Sequence, residues 1–256
     1  MKTSSQFSII ALALVSASLS HAADELTVAS NVTANGKAGT ETTYLSSDHI
    51  RHSKSSGLDM IIDLKSGTIT TIDLNKKTYY VVTPQDMEAM RANMAERMKD
   101  PRMKQGMAMM QGMSSQMASS TEVKKTGVVR KVAGYSCDEW LINMGMMSMT
   151  ECVTSELKFP VEAWAAFTAY GESMRKTMSG FGPNAGATSD YAEKMKAIKG
   201  FPVATSSTVD VGVVKSTTTS QISEVRRGAI AASVWEVPAG FTKVESPMMK
   251  SLQRGG

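Results

Sequence analysis

The spacing of turns between residues 58 and 83 limits the folding choices more than any other feature of the chain. Leu58, Met60, Ile62 and Leu64 recur at the period of a strand, with Asp59 and Asp63 at the opposite parity. Lys65-Ser66-Gly67 follows as a turn, Thr68 to Leu74 reads as a second strand, Asn75-Lys76-Lys77 turns again, and Thr78 to Thr83 makes a third. Links this short join only antiparallel neighbours, because a parallel crossover needs a dozen or more residues. Leu26 to Thr33 and Glu41 to Ser47 extend the meander toward the N-terminus. Val203, Val209, Val211 and Val213 share one face of a later strand, and Ser220 to Arg226 and Ser233 to Val237 complete the β content. Asp59 and Asp63 are expected on a solvated strand face.

After the third strand the period changes. Thr83 as N-cap, Pro84 at the first helical position and Asp86 three residues after the cap announce a helix. Met87, Met90, Met94 and Met98 then fall on one face, Pro101 interrupts, and Met103, Met107, Met110, Met113 and Met117 form a second stripe weakened by Gly106 and Gly112. Ten of the 21 methionines lie in this insertion, residues 87–117. An ordinary amphipathic pair packed on the sheet would have this spacing. So would a movable cover over an apolar groove, because Met is unbranched and polarisable and repacks around variable partners. A third reading is Cu(I) or Ag(I) binding by the thioethers of Met107, Met109, Met110 and Met113, a spacing echoed by Met144, Met146, Met147 and Met149. Further on, Val161, Trp164, Phe167, Gly171, Met174 and Met178 form a core-facing helical stripe, Asp190 and Glu193 cap a short helix, and residues 179–189 read as a flexible Gly-rich loop. That loop lacks the Gly-Lys-Ser/Thr ending of a phosphate-binding turn.

The N-terminus carries an export pattern. Lys2 precedes a short apolar run from Ser8 to Leu19 that ends in Ser20-His21-Ala22, a small-x-small cleavage site, so residues 1–22 read as a signal peptide and the mature chain as one domain, 23–256. The run is too short to span a bilayer, which needs about 20 apolar residues. The expected location is periplasmic or secreted. In that setting the isolated pair Cys137 and Cys152 reads as a disulfide, against rival readings as a redox pair or a two-thiolate metal site. A hairpin folded about Met144 and Gly145 would place the two cysteines directly opposite each other, with Asn143 to Met146 as the loop.

Other chemistry is sparse. Loss of Lys2 lowers the formal charge from +4 to +3 without leaving a basic block, so nucleic acid is not an expected partner. His49 and His52 are three apart on a strand and point to opposite faces, which disfavours a shared metal. Neither a Gly-x-Ser-x-Gly turn nor a His-Glu-x-x-His motif occurs, and no catalytic residue or cofactor is expected.

Several stretches occur in a familiar order: Gly57-Leu-Asp-Met-Ile-Ile-Asp-Leu-Lys-Ser-Gly67, Lys77-Thr-Tyr-Tyr80, Gly134-Tyr-Ser-Cys137, Glu156-Leu-Lys-Phe-Pro160, Lys199-Gly-Phe-Pro202 and Ser233-Val-Trp-Glu-Val-Pro-Ala-Gly-Phe241. In these the chain resembles the exported bacterial family of domain of unknown function 4412 over most of its mature length. That family brings no assigned activity and no catalytic residues. The order of meander, helices and returning strands also resembles, at the level of fold, the LolA-like lipoprotein carriers. The implied architecture is α+β: a curved antiparallel half-barrel covered by helices, with the Met-rich insertion among them. The implied role is a non-catalytic carrier or sensor of apolar ligands such as lipid or lipoprotein acyl chains. Soft-metal binding and a structural role against another envelope protein stand as alternatives.

Overall fold

Asn35 and Gly36 have positive φ, 49° and 78°, and close a two-residue turn between β1 (Leu26–Ala34) and β2 (Lys37–Leu45). Asn-Gly suits such a turn because a right-twisted hairpin requires positive φ at both central residues. Four more strands follow: β3 (His49–Lys54), β4 (Leu58–Asp63), β5 (Ile69–Asp73) and β6 (Thr78–Val82), each antiparallel to the one before. Helix α1 (Pro84–Arg97) comes next. A second meander contains β7 (Thr121–Val132), β8 (Tyr135–Met144), β9 (Met147–Thr154), β10 (Phe201–Asp210) and β11 (Lys215–Arg227). The chain ends in a 3-10 turn (Ala232–Trp235), β12 (Thr242–Lys243) and α2 (Pro247–Arg254).

The computed structural model describes residues 25–97, 99–102, 105, 121–144, 147–158, 165, 169, 194–210 and 215–254. The expected signal peptide 1–22, Met98 and the methionines from Met103 to Met117, the expected helical stripe from Val161 to Met178 apart from two single positions, the expected loop 179–189 with Asp190 and Glu193, and Val211 and Val213 lie outside them.

The described strands form one sheet in the order β12-β6-β5-β4-β3-β2-β1-β11-β10-β9-β8-β7, curved and not closed on itself. This matches the expected α+β class. The two meanders join along a single seam, β1 against β11, where Leu26 pairs with Arg227 and Ala34 with Thr218. Asn35 reinforces the seam: its Oδ1 accepts from the Thr217 amide at 2.9 Å, and its own amide donates to the Thr217 carbonyl at 2.8 Å. The face bearing Val28, Leu45, Ile50 and Ile222 is called inner below; these four are buried in the main apolar cluster.

Sequence reading and structure differ at three places. First, Met144 pairs with Met147, so Glu139 faces Cys152 and the hairpin register lies two residues beyond the one expected. A shift of two preserves facing parity. Cys137 and Cys152 therefore stay on one face and are joined, with a Cα–Cα separation of 5.3 Å and both residues buried. Second, Ser233 to Val237 is not a strand: Ala232–Trp235 is a 3-10 turn, and the chain pairs with the sheet only at Thr242–Lys243, parallel to β6. Third, Asp59 is not solvated. It is 3% exposed, whereas Leu58 and Met60, on the face opposite the one read as solvated, are 47% and 37% exposed.

The last reversal has a physical cause in the C-terminal segment, which crosses the outer face. Trp235 lies there against the His49 ring (centroids 5.4 Å, stacked) and the Tyr44 ring (6.4 Å, edge-on). Beneath this segment Arg51 donates from Nη1 to the Val234 carbonyl at 2.6 Å, and from Nε (3.1 Å) and Nη2 to Asp59 Oδ2, which also accepts from Ser53 Oγ at 2.9 Å. A covered carboxylate is tolerated when a guanidinium meets it in this way. Near the edge of the sheet it is the inner side that is left partly bare.

Candidate functional site

The inner face holds a groove of about 350 Å³ across the seam, between β1, β2 and β3 on one side and β10 and β11 on the other. Strand alternation builds its floor: Val28, Leu45, Ile50 and Ile222 each project inward from a different strand and are buried. Val203 joins them because β10 slips register between Pro202 and Ala204, and the extra residue turns into the groove. Hydroxyls form part of the rim, from Ser30, Thr205 and Ser220.

One set of ionisable groups meets this apolar surface. His52 Nε2 lies 3.3 Å from Glu41 Oε2, Thr43 Oγ1 lies 3.0 Å from His52 Nδ1, and Lys54 Nζ stands 3.8 Å from Glu41 Oε1. Glu151 borders the site one strand away, facing Trp140 on β8 and Thr205 on β10, and burial pushes its carboxyl above the ordinary glutamate range. Chemically this is an apolar trough with a short polar edge. Among the described residues no cluster of three or more His, Cys, Asp or Glu could hold a metal ion.

The sequence-based expectations divide as follows. His49 and His52 do point to opposite faces: His49 stacks on Trp235 outside, and His52 enters the groove. The α1 cap forms as read, with the Thr83 amide and Oγ1 both donating to Asp86 Oδ2 at 2.8 Å and the Asp86 amide donating back to Thr83 Oγ1 at 3.1 Å. Hydrogen bonds from the Thr83 amide and hydroxyl hold the Asp86 carboxyl below the usual carboxylate range. Met87 and Met90 are half-buried, and Met87 faces a second cavity of about 390 Å³ beside Tyr80, Val82 and Met248. The side chain of Met94 and all of Met98, Met103, Met107, Met109, Met110, Met113 and Met117 lie outside the described residues. Of the second methionine group, Met144, Met147 and Met149 share the face of Ile142 at the tip of the β8–β9 hairpin, half-buried, while Met146 lies outside the described residues.

Glu41, Thr43 and Ser220 were not singled out in the sequence. They belong to Thr- and Ser-rich strands whose polar residues carry no motif, and only the register across the seam brings them together.

Solved structures resemble the chain only distantly. An uncharacterized conserved protein from Thermus thermophilus has 7% identity and a TM-score of 0.45, with 88% of this chain and 91% of that one covered. PNGF-II has 9% identity and a TM-score of 0.40 over 90% of this chain and 33% of its own, so this chain spans about a third of its length. The MucA/MucB complex of Pseudomonas aeruginosa has 10% identity and a TM-score of 0.37, covering 86% and 58%. None of these values carries a function across. No curated protein matches the chain. The family model described as domain of unknown function (DUF4412) matches residues 26–241, from the first residue of β1 to the eve of β12, and the chain belongs to that family.

Proposed function

We propose that this protein is a non-catalytic binder of an apolar ligand, a lipid or acyl chain, working after export in a periplasmic or secreted setting, with the Met-bearing helix α1 as a movable cover. The observation that carries the reading is the groove, whose floor is wholly aliphatic and whose polar groups lie on its rim. Such composition and size suit a small apolar ligand oriented by a few polar contacts. The half-buried state of Met87 and Met90 supports an adaptable cover rather than a fixed core element. The export pattern of residues 1–22 and the Cys137–Cys152 disulfide support an oxidising compartment.

The test is saturable binding of a fluorescent polyene fatty acid, cis-parinarate, to delipidated protein. Ser220→Trp and Thr43→Trp each place an indole in the groove from a partly exposed strand position. Each is expected to weaken binding by about tenfold, or ~1.4 kcal/mol. Absence of saturable binding by the wild-type protein would refute the reading.

A further inference from the structure

The inner face has two cavities, and the strand register joins them. Val28 pairs with Thr43, Thr43 with His52, His52 with Met60, Met60 with Thr71, and Thr71 with Tyr80. Direct cross-strand partners share a face, so these six residues form one row over the inner surface. The row begins in the groove, where Val28, Thr43 and His52 are lining residues, and ends in the second cavity, where Thr71 and Tyr80 are. Met60 lies between the two and is 37% exposed, beside Leu58 on the same face at 47%. Five inter-strand steps of roughly 4.8 Å give a path of ~24 Å.

We infer that the two cavities are the ends of one tract for a single unbranched acyl chain of a monoacyl lipid, its polar head beside Glu41, His52 and Lys54 and its tail ending under Met87 and Met248. The inference rests on the proposed function and narrows it. Polarity sets the direction: charged side chains stand at the groove end, whereas the far cavity is bounded by Ile69, Val82, Met87, Pro247 and Met248, with the hydroxyls of Thr71, Tyr80 and Ser246 as its polar groups. Length sets the class, because from His52 a tail must run three inter-strand steps, ~14 Å, past Met60 and Thr71 to reach Tyr80, and a shorter chain leaves the far cavity empty. One row of contacts admits one chain.

Palmitate and decanoate are the probes, since they share a head and differ in reach. The wild-type protein is expected to bind palmitate about a hundredfold more tightly, the extra methylenes being buried beyond Met60. Thr71→Trp and Val82→Trp fill the far cavity and should bring the two affinities to about the same value without weakening decanoate. A measurement on the unaltered protein runs beside these: palmitate, but not decanoate, should slow peroxide oxidation of Met87 and Met248 followed by mass spectrometry. If palmitate keeps its advantage in folded variants, or protects neither methionine, the tract is refuted while the groove reading stands. If neither fatty acid binds the wild-type protein, the proposed function falls and takes this inference with it.

Discussion

Replacing Arg51 by Met should be among the most damaging single changes available on the outer face. The guanidinium is 12% exposed and the Asp59 carboxylate 3%, and Arg51 gives Asp59 Oδ2 two of the three hydrogen bonds it accepts. Asp59 Oδ1 has no partner, so after the substitution Ser53 Oγ alone would serve a buried charge. Removing one member of a buried pair costs about 3–5 kcal/mol, chiefly because the other charge is stranded. The hydrogen bond to the Val234 carbonyl is lost as well, worth about 1.5 kcal/mol or more for a charged donor. Asp59→Asn should cost less, about 1–3 kcal/mol, because a neutral amide is cheaper to bury. The double change Arg51→Met with Asp59→Leu should recover most of the loss, since well-packed apolar replacements of buried pairs are often neutral or better. Urea unfolding measures all three, with an unchanged slope showing that only stability has moved. An Arg51→Met protein within about 1 kcal/mol of wild type would mean that the pair is effectively solvated and the account of Asp59 wrong.

Three further outcomes follow from features already described. Cys137→Ala with Cys152→Ala should lower stability by about 3 kcal/mol for a loop of 15 residues. Intact mass of protein recovered from a periplasm should match an oxidised chain beginning at Ala23, and two thiols alkylated without reductant would contradict the disulfide. Glu151 is the pH-sensitive case. Burial raises its folded pKa, so its contribution is complete at low pH and is lost as pH rises from the unfolded value, about 4.3, through the folded one. Glu151→Gln should therefore flatten the decline of Tm over that window, and parallel Tm curves for the two proteins would contradict the assignment.

Much of the architecture was legible because hairpin links and capping boxes are local codes: the turns at Lys65-Ser66-Gly67 and Asn75-Lys76-Lys77, and the Thr83–Asp86 cap, depend on residues within a few positions of each other. The pairing of the cysteines was legible for a related reason, since facing parity survives an error of two in register. Which face of β4 turns inward was not legible. Alternation gives two faces, and the reading of the Asp59 face as the solvated one failed because a segment some 175 residues later covers it. Strand β3 was legible only as the strand that carries His49 and His52, because His-Ile-Arg-His-Ser-Lys has little apolar alternation; its Arg51 and His52 serve one face each, and neither is plain surface. The groove was legible in kind, as an apolar hollow on the sheet, but its lining residues were not, because they come together only where the two meanders pair.

That pairing has a consequence for when binding can occur. Each meander pairs strands that are neighbours in sequence, by short links except for residues 155–200 between β9 and β10, whereas the β1–β11 junction must bring Leu26 to Arg227 and is the longest and entropically most expensive closure. Half of the groove wall stands on each side of that closure, so neither half-sheet alone offers a ligand the whole groove. On the proposed function, an acyl chain seated there would act as a clasp across the two halves: at a free concentration one hundred times its dissociation constant it would stabilise the closed sheet by about 2.7 kcal/mol. Occupancy and completed folding would then be one linked equilibrium, and an empty molecule would open along the β1–β11 line before either meander came apart.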